Sequence, residues 1–161
     1  MTEQIPLCEL WPLIREVFDR GGSYLLSPGG VSMLPTIRPG EDRVRLIPPV
    51  FPLQVGQVAL FRRENGSFVL HRVYRRKKRG DQYVYTMLGD NQLYPERGIR
   101  QEQVLALAEG RERAGRYRTF RSPALCVPAR IRQFFFPLKS FCKRGARKLW
   151  RICRKTKPQN R

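Results

Sequence analysis

The sequence contains no long uninterrupted run of apolar residues and only four cysteines. No segment approaches the roughly 18 to 20 apolar residues that a membrane-spanning helix needs. The stretch 1–20 is broken by prolines and charged side chains, unlike the apolar core of a secretory signal peptide. The cysteines are too widely spaced for a CxxC pair or a zinc site: Cys8, Cys126, Cys142 and Cys153. These absences predict a cytoplasmic protein with reduced thiols, no metal and no cofactor.

Acidic residues are missing from the last third of the chain. From Arg113 to Arg161 there are 16 Lys and Arg and no Asp or Glu, whereas the first 112 residues carry 16 basic and 13 acidic side chains. The net charge of +19 on 161 residues is therefore concentrated at one end, and it predicts an anionic partner. The division predicts a domain over 1–112 and a linker with a basic tail over 113–161.

Hydrophobic periodicity predicts that the domain is mainly β. Residues 7–20 place apolar side chains at helical spacing until Gly21 and Gly22, which indicates a short N-terminal helix. Brief runs rich in Val, Phe, Tyr and Leu follow, separated by turn residues, and predict strands at 24–27, 43–47, 57–62, 67–74, 82–88 and 103–108. Asn65-Gly66 between two of them predicts a hairpin, because both residues tolerate positive φ. Short strands without alternating helices indicate an antiparallel sheet.

The tail has a different pattern. Residues 113–128 predict a linker, and from Ala129 onward apolar residues recur at three- and four-residue steps among many Lys and Arg, with Pro137 as an interruption. This pattern predicts a basic amphipathic helix that holds the protein at an anionic membrane surface. A nucleic acid is the less favoured partner, because a basic tail suits it but no recognition motif is present. The remaining interpretations are a solvated, partly disordered tail and a helix that packs on the domain.

Three segments carry residues with potential chemistry. In the first, Gly30–Gly40, glycine and Pro35 can hold Ser32 in a tight bend with its hydroxyl exposed. Such a serine is also common in ordinary turns. The second contains His71, the only histidine of the chain and a residue type suited to general-base catalysis near neutral pH. The third, Gly89-Asp90-Asn91, is typical of a β-turn.

Together the three segments resemble the conserved boxes of the type I signal peptidases, which share a fold with the LexA-type repressor peptidases. Ser32–Ile37 matches the box around the nucleophile, and 54–61 matches a strand that precedes the general base. That base is a histidine in some members, as His71 is here. Met87–Asn91 matches the family's Gly-Asp-Asn box, and the resemblance covers about residues 25–110.

The resemblance implies a LexA/signal-peptidase-like antiparallel β domain and a serine endopeptidase that cleaves signal- or leader-type peptides or preproteins. Ser32 would be the nucleophile and His71 its general base, with Asp90 orienting the imidazole. The alternative function is a non-catalytic or self-cleaving LexA-like regulatory module with a cationic tail that binds membranes or nucleic acid.

The loop around Ser32 is also implied to contribute the oxyanion hole and substrate contacts, through Gly30, Val31, Met33 and Pro35. The family often has a serine at the position of Gly30, whose hydroxyl donates to the oxyanion, and this chain lacks it. The resemblance does not extend to the family's membrane anchor or to the residues that usually follow its Gly-Asp-Asn box.

Overall fold

The computed structural model describes residues 6–121. Within them the chain forms a helix, a single sheet of eight antiparallel strands and a 3-10 turn at Gln101–Gln103. The elements are α1 (Leu7–Asp19), β1 (Tyr24–Leu26), β2 (Asp42–Ile47), β3 (Val58–Arg62), β4 (Phe68–Arg79), β5 (Gln82–Leu88), β6 (Glu96–Arg100), β7 (Val104–Arg113) and β8 (Arg116–Thr119). The strand order is β1-β2-β7-β3-β4-β5-β6, and β8 pairs with β7. The prediction of a mainly β, antiparallel domain with a short N-terminal helix is confirmed.

The centre of the sheet is buried on both faces. In β3, Val58 and Leu60 pack in one apolar cluster, while Ala59 and Phe61 pack in another, because successive side chains of a strand point to opposite faces. The helix α1 and the loop after β1 cover the first cluster. The segment between β2 and β3 contributes to the second. Covered on both sides, β3 has the continuous apolar sequence of a central strand.

The helix α1 confirms the predicted 7–20 element. Leu7, Trp11 and Phe18 pack against the first cluster, and the Trp11 and Phe18 rings meet edge to face with centroids 6.2 Å apart. Gly21 then takes a φ of 75°, a left-handed conformation that glycine adopts without steric strain. The helix thereby turns into β1 and leaves a space between the two elements and the sheet.

The predicted hairpin at Asn65-Gly66 is confirmed and joins β3 to β4. Gly66 has a φ of 85°, and the Asn65 side-chain oxygen accepts a hydrogen bond of 3.1 Å from the Ser67 N–H. This turn sets the register that places His71 opposite Ala59. The position of the histidine in the sheet therefore follows from a local turn.

The structure corrects the predicted domain boundary at residue 112. β7 continues to Arg113, and Ala114 and Gly115 turn the chain with φ values of 47° and 73° into β8. Phe120 then returns to the first cluster with 4% exposure. The predicted linker is therefore wrong for residues 113–120. Residues 122–128 and the predicted tail helix lie outside the described residues.

The described residues include no helix with the length and apolar composition needed to cross a bilayer. The same residues contain no group of three or more His, Cys, Asp and Glu side chains arranged to hold a metal ion. Cys8 is an exposed free thiol, and the other three cysteines lie outside this part of the chain.

Candidate active site

An open cavity of about 660 Å³ lies between α1, β1 and the β3–β4 hairpin. Polar and apolar atoms contribute in similar measure to its wall, and its ionisable side chains are Tyr24, Arg63 and His71. Ser32 also contributes to the wall. The structure thus places the predicted nucleophile and the single histidine of the chain around one cavity, although 38 residues separate them in the sequence.

The Ser32 loop is a compact turn anchored by buried neighbours. The Leu34 N–H donates to the Val31 carbonyl over 3.3 Å, and the Ile37 N–H donates to the Met33 carbonyl over 2.9 Å. Met33 and Ile37 are 3% and 0% exposed and belong to the first apolar cluster. Because they fix the turn from below, half-buried Ser32 is held at the cavity surface.

The far end of this loop is held by Asp42. Its buried carboxylate accepts a 2.7 Å hydrogen bond from the Arg38 N–H and pairs with Arg111 and Arg113 of β7 at 2.8 and 2.6 Å. Burial alone would raise the pKa of Asp42, but the hydrogen bonds from Arg113, Arg38 and Arg111 lower it below its ordinary value. Asp42 therefore anchors the end of the Ser32 loop to β7.

The Gly89-Asp90-Asn91 turn closes directly onto Ser32. The Asn91 N–H donates to the Ser32 carbonyl over 2.8 Å, and the Asn91 side-chain amide donates to the Val31 carbonyl over 3.2 Å. A Cβ atom on Gly89 would lie 2.7 Å from the Ser32 carbonyl oxygen, closer than van der Waals contact allows. Glycine is therefore required where the third segment contacts the first.

The four residues predicted for the oxyanion hole and substrate contacts divide into two pairs. Gly30 and Met33 line the cavity. Val31 and Pro35 are exposed and lie outside the cavity lining. Within residues 6–121 the backbone N–H of Ser32 donates to no other group, which leaves it available to a ligand in the cavity.

His71 is a buried base in the middle of the sheet. Its side chain is 1% exposed, and its ring centroid lies 5.9 Å from that of Phe61. Burial lowers the pKa of His71 below 6.5; Glu96 and Asp90 raise it in part, and Arg63 lowers it further. The imidazole is therefore neutral at pH 7. Its Nε2 atom has no hydrogen-bond partner among the described residues, so the Ser32 hydroxyl does not reach it in this conformation.

Glu96, which the sequence analysis did not identify, is the carboxylate beside the histidine. Its Oε1 lies 3.1 Å from His71 Nδ1, although the two groups lack the alignment of a hydrogen bond. Arg63 binds the same carboxylate with two hydrogen bonds, of 2.7 and 2.6 Å. The hydrogen bond from Arg63 and the charges of His71 and Arg63 lower the pKa of Glu96 against the effect of burial. The acid is therefore ionised next to Nδ1.

The structure does not support the predicted role of Asp90. Both of its carboxylate oxygens bind Arg72, at 2.9 and 2.7 Å, and Glu96 is the one described carboxylate within 4.0 Å of the imidazole. Arg72 also donates to the Gly56 carbonyl over 2.7 Å. The Arg72 and Asp90 side chains are 1% and 2% exposed, and a buried guanidinium needs a counter-ion. Asp90 supplies that charge.

No protein-family model, no curated protein and no solved structure matches this chain. The function is therefore inferred from the residues and the geometry described above.

Proposed function

We propose that this protein is a serine endopeptidase that cleaves extended signal- or leader-type peptides, with Ser32 as nucleophile and His71 as general base. Glu96 takes the part of the third residue that orients the base. The observation that carries the proposal is the shared cavity: Ser32 and a neutral, buried histidine line it, and an ionised carboxylate lies 3.1 Å from the far nitrogen of that histidine.

The proposed chemistry begins with the tautomer of His71. A carboxylate beside Nδ1 favours a proton on that nitrogen, which leaves the Nε2 lone pair as the base. The Ser32 hydroxyl adds to the substrate carbonyl while its proton passes to Nε2. The resulting imidazolium is stabilised by Glu96 and then gives the proton to the leaving amine. A water molecule hydrolyses the acyl-enzyme in the same way.

Two unpaired strand edges at the cavity suit an extended peptide. Within residues 6–121, β1 is the last strand of the sheet and pairs only with β2. In the same part of the chain β5 pairs with β4 only from Arg72 onward, so that no described strand pairs with one edge of the stretch Phe68–His71. Residues of β1 and of this stretch line the cavity. A peptide that adds to a strand edge places alternate side chains in the wall, where Leu26, Leu60 and Leu70 suit small apolar residues.

The oxyanion of the tetrahedral intermediate would accept a hydrogen bond from the Ser32 backbone N–H. Gly30 lines the same cavity but contributes no hydroxyl. Loss of one donor from an oxyanion hole reduces the rate by about 10²–10³. The proposed enzyme is accordingly slow compared with a relative that carries a serine at this position.

A non-catalytic peptide-binding module is the second candidate. Two observations favour it: His71 Nε2 has no hydrogen-bond partner among residues 6–121, and Gly30 leaves the oxyanion without a side-chain donor. Apo enzymes often lack the catalytic hydrogen bonds that form with substrate, so the two candidates must be separated by activity.

The primary test is cleavage of a mixture of leader-type peptides, followed by mass spectrometry, with wild type and Ser32→Ala. The proposal expects fragments with wild type only and retained peptide binding by the variant. Equal fragmentation by both proteins would remove Ser32 from the mechanism. Peptide binding without fragmentation by wild type would favour the binding module.

Gly30→Ser provides a gain-of-function test. A Cβ at Gly30 meets no atom within 4 Å, so the substitution is sterically free. If the site is catalytic, the added hydroxyl should raise kcat by about tenfold or more, because a restored oxyanion donor acts in the transition state. An unchanged kcat would show that Gly30 is not beside the oxyanion. A matched Gly29→Ser variant, equally unobstructed, should leave kcat unchanged.

A further inference from the structure

We propose that a cationic face of the sheet docks the protein onto anionic phospholipid headgroups. This cationic face consists of Arg75, Lys77 and Arg79 of β4 and Arg97 of β6, all exposed. It belongs to the folded domain and is separate from the basic tail. The inference does not depend on the proposed peptidase activity.

The strand register places these four side chains on one side of the sheet. Arg75 lies opposite Thr86, which lies opposite Arg97 in the next strand. Lys77 and Arg79 follow Arg75 at two-residue steps along β4. Paired residues in neighbouring strands and residues two apart in one strand share a face. The cations therefore form a patch across three strands.

The cationic face has no internal neutralisation. None of its four side chains has a carboxylate within 4.0 Å among residues 6–121. Arg100, on the same strand as Arg97, differs: its guanidinium contacts Glu102 at 2.8 Å and Glu64 at 3.8 Å. Like charges at two-residue steps along one face of β4 lie roughly 7 Å apart and repel one another. An external anionic surface would remove that repulsion.

The cationic face also belongs to a strand that borders the cavity. Arg72 pairs with Leu88 and Arg75 with Thr86, so the irregularity at Tyr74 brings Arg75 to the face that Leu70 and Arg72 occupy. Leu70 lines the cavity. At about 3.3 Å per residue, Arg75 lies roughly 13 Å along β4 from His71. A bilayer bound at the cationic face would therefore lie beside the cavity opening.

A phospholipid surface fits this patch better than a nucleic acid. The major groove admits a two-stranded ribbon; here the ribbon is two-stranded only at Arg79, whereas β6 is a third strand beside Arg75 and Lys77. Single-stranded nucleic acids are bound by aromatic platforms, but Tyr83 pairs with Lys78 on the opposite face of β4. The ring of Tyr74 already contacts the Arg75 guanidinium, 5.4 Å from its centroid. Clusters of four or more Lys and Arg are typical of sites for anionic headgroups.

The test compares two triple variants of the full chain that lose the same charge. Arg75→Gln/Lys77→Gln/Arg79→Gln removes three cations of the cationic face. Lys78→Gln/Arg116→Gln/Arg118→Gln removes three exposed cations outside it. Association with equimolar phosphatidylserine–phosphatidylcholine vesicles is measured by co-sedimentation, with pure phosphatidylcholine vesicles as reference. All three proteins keep the tail, so its contribution is common to them.

Wild type should bind the anionic vesicles, and the first triple variant should bind about 100-fold more weakly, because each basic residue near the surface contributes roughly a fivefold factor. The second should weaken binding by no more than about threefold, because Lys78 lies on the opposite face of β4 and Arg116 and Arg118 lie on β8. Equal losses in both variants, or no binding by wild type, would overturn the proposal.

Competition with single-stranded and duplex oligonucleotides distinguishes the other class of partner. If the first triple variant lost oligonucleotide binding and kept vesicle binding, the face would be a nucleic-acid site and the proposal would be wrong. Melting temperatures confirm that both variants fold. Should the triple variant be unstable, Lys77→Gln/Arg79→Gln is the substitute, with an expected loss of about 30-fold.

Discussion

Two carboxylates near the end of β5 have opposite environments. Asp90 gives both oxygens to Arg72 in the interior. Glu96, six residues later, accepts hydrogen bonds from Arg63 on both oxygens, and its Oε1 also lies 3.1 Å from His71 Nδ1. His71 and Arg72 are consecutive residues of β4, so their side chains leave the strand on opposite faces. Arg72 therefore pairs with Asp90 in the interior, whereas His71 lies beside Glu96 in the candidate active site.

The largest effect is expected from Asp90→Ala. The variant leaves the Arg72 guanidinium buried without a counter-ion, and removal of one partner of a buried ion pair costs about 3–5 kcal/mol of the free energy of unfolding. Urea denaturation with wild type as reference measures the loss. Normal stability combined with lost peptide cleavage would restore Asp90 to the role of orienting His71.

The control for this experiment is Glu102→Ala. Glu102 pairs with Arg100 at 2.8 Å, but both side chains are more than half exposed. An exposed ion pair contributes little to the free energy of unfolding, because solvent screens the two charges. A loss comparable to that of Asp90→Ala would show that the buried pair is not special.

Glu96→Gln should reduce kcat/KM by about 10²-fold or more with little change in stability. The substitution removes the charge that stabilises the imidazolium and allows the wrong tautomer of His71. Peptide cleavage assays and thermal unfolding measure the two quantities. Arg63→Gln is the matched control, because it breaks the same Arg63–Glu96 ion pair and leaves the carboxylate beside His71. Equal losses of kcat/KM in the two variants would mean that the ion pair matters and the acid does not.

A smaller effect, visible in the pH profile, is expected from Arg63→Gln. His71 acts as a base only when neutral, so kcat/KM rises as the pH increases through its pKa, which burial and Arg63 lower and Glu96 raises. In wild type the midpoint of this rise lies below pH 6.5. Without the Arg63 charge the imidazolium is less disfavoured, and the pKa of His71 increases. The acid limb should therefore move to higher pH; a shift to lower pH would contradict the assigned environment.

Local patterns predicted most of the sheet and failed at two strands. The β3–β4 hairpin was found because Asn65-Gly66 is a strong turn signal. β6 was missed because Gly98, with a φ of 79°, interrupts the strand, and β8 was missed because its exposed residues Arg116–Thr119 lack an apolar alternation. The first omission also concealed Glu96, which is the first residue of β6.

The sequence alone identified Ser32, His71 and the Gly89-Asp90-Asn91 turn as candidate site residues. It also predicted the antiparallel strands around them, because turn residues and apolar periodicity act over a few positions. Only the tertiary structure decided which acid serves the histidine. That choice depends on which side of β4 each side chain leaves and on the pairing of β6 with β5. Both are properties of the assembled sheet, and neither can be read from the distance between residues along the sequence. Burial then lowers the pKa of His71, and it too exists only once the sheet has formed.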